Sequence, residues 1–144
     1  MTLAVMDTGV LVAGVYWRTE PHQCVKAWLN GALALALSDE IFEEYKRVLL
    51  EIKAEQGFIT DLDPWLAAVK KSARWVAPHP LSKPVCRDPK DDKFIEAALA
   101  AGARLLIARD ADFTDLEKPF GVEIVTPRQF LARLPRAMRR QLAE

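Results

Sequence analysis

Histidine and cysteine are both scarce, with two of each in 144 residues. One cysteine pair, Cys24 and Cys86, cannot make a disulfide scaffold, and neither lies in a C-x-x-C or other metal-binding spacing. Both read as reduced packing residues. His22 and His79 have no partner at a ligand spacing, so they read as surface or loop histidines and a zinc centre is not expected. Net charge is also missing: 20 basic residues balance 20 acidic ones. A generic polyanion binder would be more basic, so attraction to nucleic acid would have to come from a local patch or from metal. No apolar run approaches the ~20 residues of a membrane span. The opening MTLAVMD meets a charge at Asp7, which reads against a secretory signal. The expected compartment is the cytosol. No repeat or low-complexity tract appears.

What is present is enough apolar material for a core, 51% of residues, in a length that suits one domain over 1–144. Short apolar runs at 3–6, 34–37, 75–77, 104–108 and 122–125 read as strands. Helical patterns fall between them, at about 8–14, 22–30, 39–55, 61–73, 90–101 and 127–142. This alternation predicts an α/β fold, a central parallel sheet of about five short strands with helices on both faces. Cap chemistry supports the boundaries. Ser38 precedes the third helix, Asp63-Pro64 reads as N-cap and first helical residue, and Thr126-Pro127 with Gln129 reads as a capping box. Asp88-Pro89 with Asp91 reads as the same device. The proline-rich stretch 77–89 reads as an extended loop.

Four acids stand beside stretches that should be buried: Asp7, Glu44, Asp92 and Asp110. Asp7 ends the first strand and Asp110 follows the 104–108 strand. In an open α/β sheet the ligand crevice lies beyond the carboxyl ends of the strands, so neighbouring strands would aim both acids into it. Glu44 flanks the apolar stripe Ile41, Tyr45, Val48, Leu49 and Ile52, whereas Glu43 points away. Glu40 is the reserve. At the start of the fifth helix, Asp88 and Asp91 are explained by capping. Asp92 has no local backbone task and is left for metal, with Asp91 as a second contact or outer partner. Each acid alone is better explained as a cap or turn residue. Together they would repel unless a cation is present. Hard oxygen donors point to Mg²⁺ or Mn²⁺. Two such ions about 4 Å apart can activate water and stabilise the leaving oxygen of a phosphodiester.

The same segments resemble those of the PIN-domain ribonucleases, notably the toxins of bacterial type II toxin–antitoxin pairs. VMDTGVLVAG resembles the opening strand and first acid, Asp7. SDEIFEEYKRVL resembles the S-x-E-x-x-x-E-Y-x-x-V-L segment and places Glu44. RDPKDDKFIEAALAAGA resembles the D-P-x-D-x-x-F-L-x-A-A segment, on which Asp92 is placed. LLIARDADF resembles the strand-plus-T-x-D-x-D-F segment and places Asp110, with Asp112 second. The resemblance runs from about residue 3 to residue 130. It implies a metal-dependent endoribonuclease acting on single-stranded or structured RNA, Mg²⁺ or Mn²⁺ dependence, homodimers, and inhibition by a small antitoxin. The family's usual Asn two after the first acid is here Gly9, and its Thr or Ser two before the fourth is Ala108. These departures motivate an alternative, a weak or non-catalytic PIN-like module that binds RNA or protein.

Further candidates come from position alone. Trp17 and Arg18 follow the first helix and are candidates for base stacking and phosphate contact, and Arg109 beside Asp110 is another phosphate candidate. Trp28 and Trp65 fit helix faces. Arg133, Arg136, Arg139 and Arg140 read as a solvated helix face. Phe58, Ile59, Trp65, Leu66 and Val69 give the 39–73 helix pair surplus apolar surface, for a dimer, an antitoxin or ordinary packing. A receiver domain would need paired acids after the first strand, and a haloacid-dehalogenase-type phosphatase would need D-x-D. Asp7-Thr8-Gly9 offers neither.

Overall fold

A computed structural model describes residues 2–109, 113, 116 and 118–144. Five strands, β1 (Thr2–Met6), β2 (Leu33–Leu37), β3 (Arg74–Trp75), β4 (Leu105–Ile107) and β5 (Glu123–Val125), form one all-parallel sheet of order β3-β2-β1-β4-β5. Seven α-helices among the described residues flank it: α1 (Thr8–Tyr16), α2 (Glu20–Leu29), α3 (Asp39–Gln56), α4 (Asp63–Ser72), α5 (Asp92–Ala101), α6 (Pro127–Ala132) and α7 (Arg136–Ala143). Ala4, Val5 and Met6 are consecutive and all fully buried. Neighbouring residues on a strand face opposite ways, so both faces of the sheet are covered at its centre.

The expected elements are present, with three boundary corrections. Leu62, not Asp63, is the N-cap of α4, and Asp63 is its first helical residue. The last helix is two, because Pro135 cannot continue α6 and instead precedes α7. A 3-10 turn, Pro89–Asp91, stands before α5 and shifts where the α-helix begins. The caps at Ser38 and Thr126 form as anticipated. Ser38 accepts from Ile41 N at 3.3 Å, and Thr126 and Gln129 exchange bonds of 2.9 and 3.1 Å.

α1 (TGVLVAGVY) is apolar all round, which suits a helix buried against several neighbours. Its close approach to α2 depends on Gly14. A Cβ there would stand 2.4 Å from Val25 Cγ2 and 2.7 Å from the Pro21 carbonyl oxygen. The second contact is backbone and cannot turn aside. Gly14→Ala is therefore expected to cost ~1–3 kcal/mol in urea unfolding, by overpacking. A loss under ~0.5 kcal/mol would show that the two helices part freely.

Both cysteines are buried. Burial first, and then the Glu20 carboxylate, pushes the Cys24 thiol up to about 12. Thiolate is the reactive form. Folded protein at pH 8 should thus leave Cys24 unlabelled by iodoacetamide, as read by peptide mass, and label it fully in urea. Labelling at equal rates in both would contradict this burial.

Candidate active site

The chain starts in the middle of the sheet, builds β2 and β3 to one side, and returns to place β4 on the other side of β1. The strand order therefore reverses between β1 and β4, where open α/β sheets form their ligand crevice. A cavity of about 370 Å³ opens there, lined by Asp7, Thr8, Gly9, Glu44, Asp91, Phe94, Arg109 and Phe113.

Each wall has a local cause. Asp7 leaves β1 by donating its N–H to the Ile107 carbonyl at 2.9 Å, which ties the ends of β1 and β4 together. It then serves as the N-cap of α1, accepting from Val10 N at 2.8 Å through Oδ1. The residue is 5% exposed, with its carboxylate at the positive end of a buried helix. Glu44 is placed by its neighbour Tyr45, a fully buried side chain whose hydroxyl donates to the Met6 carbonyl at the end of β1. Burial first, and then the charges of Asp7 and Glu44, hold the Tyr45 hydroxyl well above its ordinary range. It therefore stays a proton donor and pins α3 to the strand end. Glu44 accepts from Thr8 Oγ1 through one oxygen and from Lys93 Nζ at 2.5 Å through the other. Phe94 and Phe113 meet edge to face, with ring centres 5.8 Å apart, as an apolar wall.

Asp92 does not line this crevice. Its Oδ1 accepts from Cys86 N at 2.7 Å, and its Oδ2 accepts from Val85 N at 3.1 Å. The buried carboxylate thus has a backbone task after all, closing the end of the proline-rich loop. Asp91, one residue earlier, is the acid that lines the crevice. The signal was in the sequence: the D-P-x-D spacing counted from Asp88 lands on Asp91. Lys93 was the other omission. Nothing in the helical pattern marked it, yet it is 9% exposed.

Trp17 and Arg18 are also absent from the crevice lining. Asp7 caps the start of α1 and Trp17 its end. At 1.5 Å per residue they stand about 15 Å apart. Trp17 instead packs edge-on against Tyr16 and Phe58, with centres 5.9 and 5.8 Å away. Arg109 does line the crevice. His22 Nδ1 lies 2.7 Å from the Gly14 carbonyl and His79 is exposed, in keeping with structural and surface roles. Asp110 and Asp112 lie outside the described residues. Among the described residues, no three of histidine, cysteine, aspartate and glutamate gather closely enough to hold an ion.

A family model described as the PIN domain matches residues 4–112, from β1 through the crevice residues beyond β4. The chain belongs to the PIN-domain family. PIN domains are generally nucleases and typically use divalent metals. No curated protein matches the chain. The donors that this PIN domain turns to its crevice are carboxylates and a hydroxyl, with no histidine or cysteine among the lining residues. That set fits a hard divalent ion. Among the described residues, no helix is long and apolar enough to cross a membrane.

Proposed function

We propose that this PIN domain is a Mg²⁺- or Mn²⁺-dependent endoribonuclease, the toxin of a toxin–antitoxin pair in the cytoplasm. The observation that carries the reading is that Asp7, Glu44, Asp91 and Arg109 all line one crevice at the strand-order reversal. Asp7 and Asp91, joined by Asp110 and Asp112 from the segment after β4, would hold the metal. Bound there, the metal would lower the pKa of a water and offset charge on the scissile phosphate. Asp7 is oriented by its cap bond from Val10 N. Arg109 extends an exposed guanidinium over the crevice edge to seat a phosphate. Phe94 and Phe113 exclude bulk water from one side, which strengthens each charge interaction within. Ile59, 98% exposed, and Leu50, 50% exposed, support an antitoxin or homodimer surface on the far part of α3 and beyond it.

The test is cleavage of single-stranded RNA by purified protein with Mn²⁺ or Mg²⁺ and with chelator. Metal-dependent cleavage supports the nuclease. RNA binding without cleavage under every metal condition sinks it. That result would favour the non-catalytic module, a second reading that draws on the Lys93–Glu44 ion pair and on Ala108, which brings no hydroxyl.

A further inference from the structure

Lysine is almost never buried without a task. The Lys93 side chain is 10% exposed, and its ammonium lies 2.5 Å from Glu44 Oε1, across 49 positions of sequence. The same ammonium stands 5.8 Å from the centre of the Phe94 ring. Arg47 Nη2 adds a second positive group 3.8 Å from the same oxygen, though its own side chain is largely exposed. The other Glu44 oxygen accepts from Thr8 Oγ1. Glu44 is therefore already engaged by protein donors on both oxygens, with its charge offset by the two cations at Oε1.

We infer that Lys93, which lines the neighbouring cavity on the other side of Glu44 rather than the crevice itself, is a resident cation that holds the Glu44 carboxylate from behind, so that the site takes one divalent ion rather than two. The inference rests on the metal-dependent reading above and revises the expectation that Glu44 binds metal directly. A second divalent ion on this wall would need the Glu44 oxygens, and it would meet an ammonium already bound to one of them. Like charges in a poorly solvated site repel with little screening. Lys93 follows Asp91 by two residues on the same chain segment, so the acid that lines the crevice and the cation held on Glu44 are positioned together. Lys93 is here a positioning residue, acting through Glu44.

The experiment is calorimetric titration of metal-free protein with Mn²⁺, for wild type, Lys93→Met and Lys93→Gln, with folding checked by circular dichroism. The expected result is one Mn²⁺ per chain in the wild type and two in either folded variant. Two ions in the wild type overturn the inference, as does one ion in wild type and folded variants alike. Should both variants unfold, paramagnetic resonance of Mn²⁺-loaded wild type decides. An isolated-ion spectrum upholds the inference and a spin-coupled pair overturns it. Absence of any Mn²⁺ binding to the wild type would overturn the metal-dependent reading itself, an outcome distinct from a stoichiometry of two.

Discussion

Asp7→Asn should lower metal-dependent RNA cleavage by at least ~10²-fold, since even the outer partners of metal ligands cost 10–100-fold when changed. The fold should survive. Asn is as good an N-cap as Asp, so the bond from Val10 N can be kept and urea unfolding should move by less than about 0.5 kcal/mol. Loss of charge without loss of structure is what separates a ligand from a cap. The measurement is a cleavage time course with saturating Mn²⁺, beside an unfolding curve. Cleavage at the wild-type rate would refute the nuclease mechanism built on this crevice. A collapse of stability would instead show that Asp7 acts mainly through α1.

The adjacent acids Asp91 and Asp92 should fail in opposite ways. Asp92→Ala strips the acceptor from the amides of Val85 and Cys86. An unsatisfied buried donor costs about 1–3 kcal/mol, so a combined loss of ~2–4 kcal/mol is expected in urea unfolding. The fraction that stays folded should still cleave RNA. Asp91→Asn should change stability by less than ~1 kcal/mol, as the residue is half-buried at a helix start, yet reduce cleavage by about 10²-fold. The reverse pattern would return Asp92 to the metal and leave Asp91 as packing chemistry.

That pair also shows where the sequence could be read and where it could not. The strands were legible because each is a short apolar run between helical stretches. Asp7 was legible because it ends such a run. Glu44 was legible because α3 is regular over 18 residues, long enough for its buried stripe to set the phase. At the start of α5 the same arithmetic slipped. The 3-10 turn over Pro89–Asp91 interrupts the α-helical period, and in α5 Leu99 is 40% exposed while Ala97 is fully buried. One residue of phase error rotates a helix position by about 100° and exchanges Asp91 for Asp92. The partners of Asp92 lie backwards in an irregular loop, where capping rules do not look. Lys93 and Glu44 meet only through the tertiary fold, so no local pattern could join them. Trp17 was misplaced for a plainer reason: proximity along the chain to a helix that starts at the crevice says little about the helix's other end.

The register of β1 has a consequence for how the protein is made. Ala4 pairs with Leu105, so β1 remains half-partnered until a strand about a hundred residues later in the chain has formed. The acids at 7, 44 and 91 cannot be held in one geometry before then. Products that end before β4 would thus lack the formed crevice.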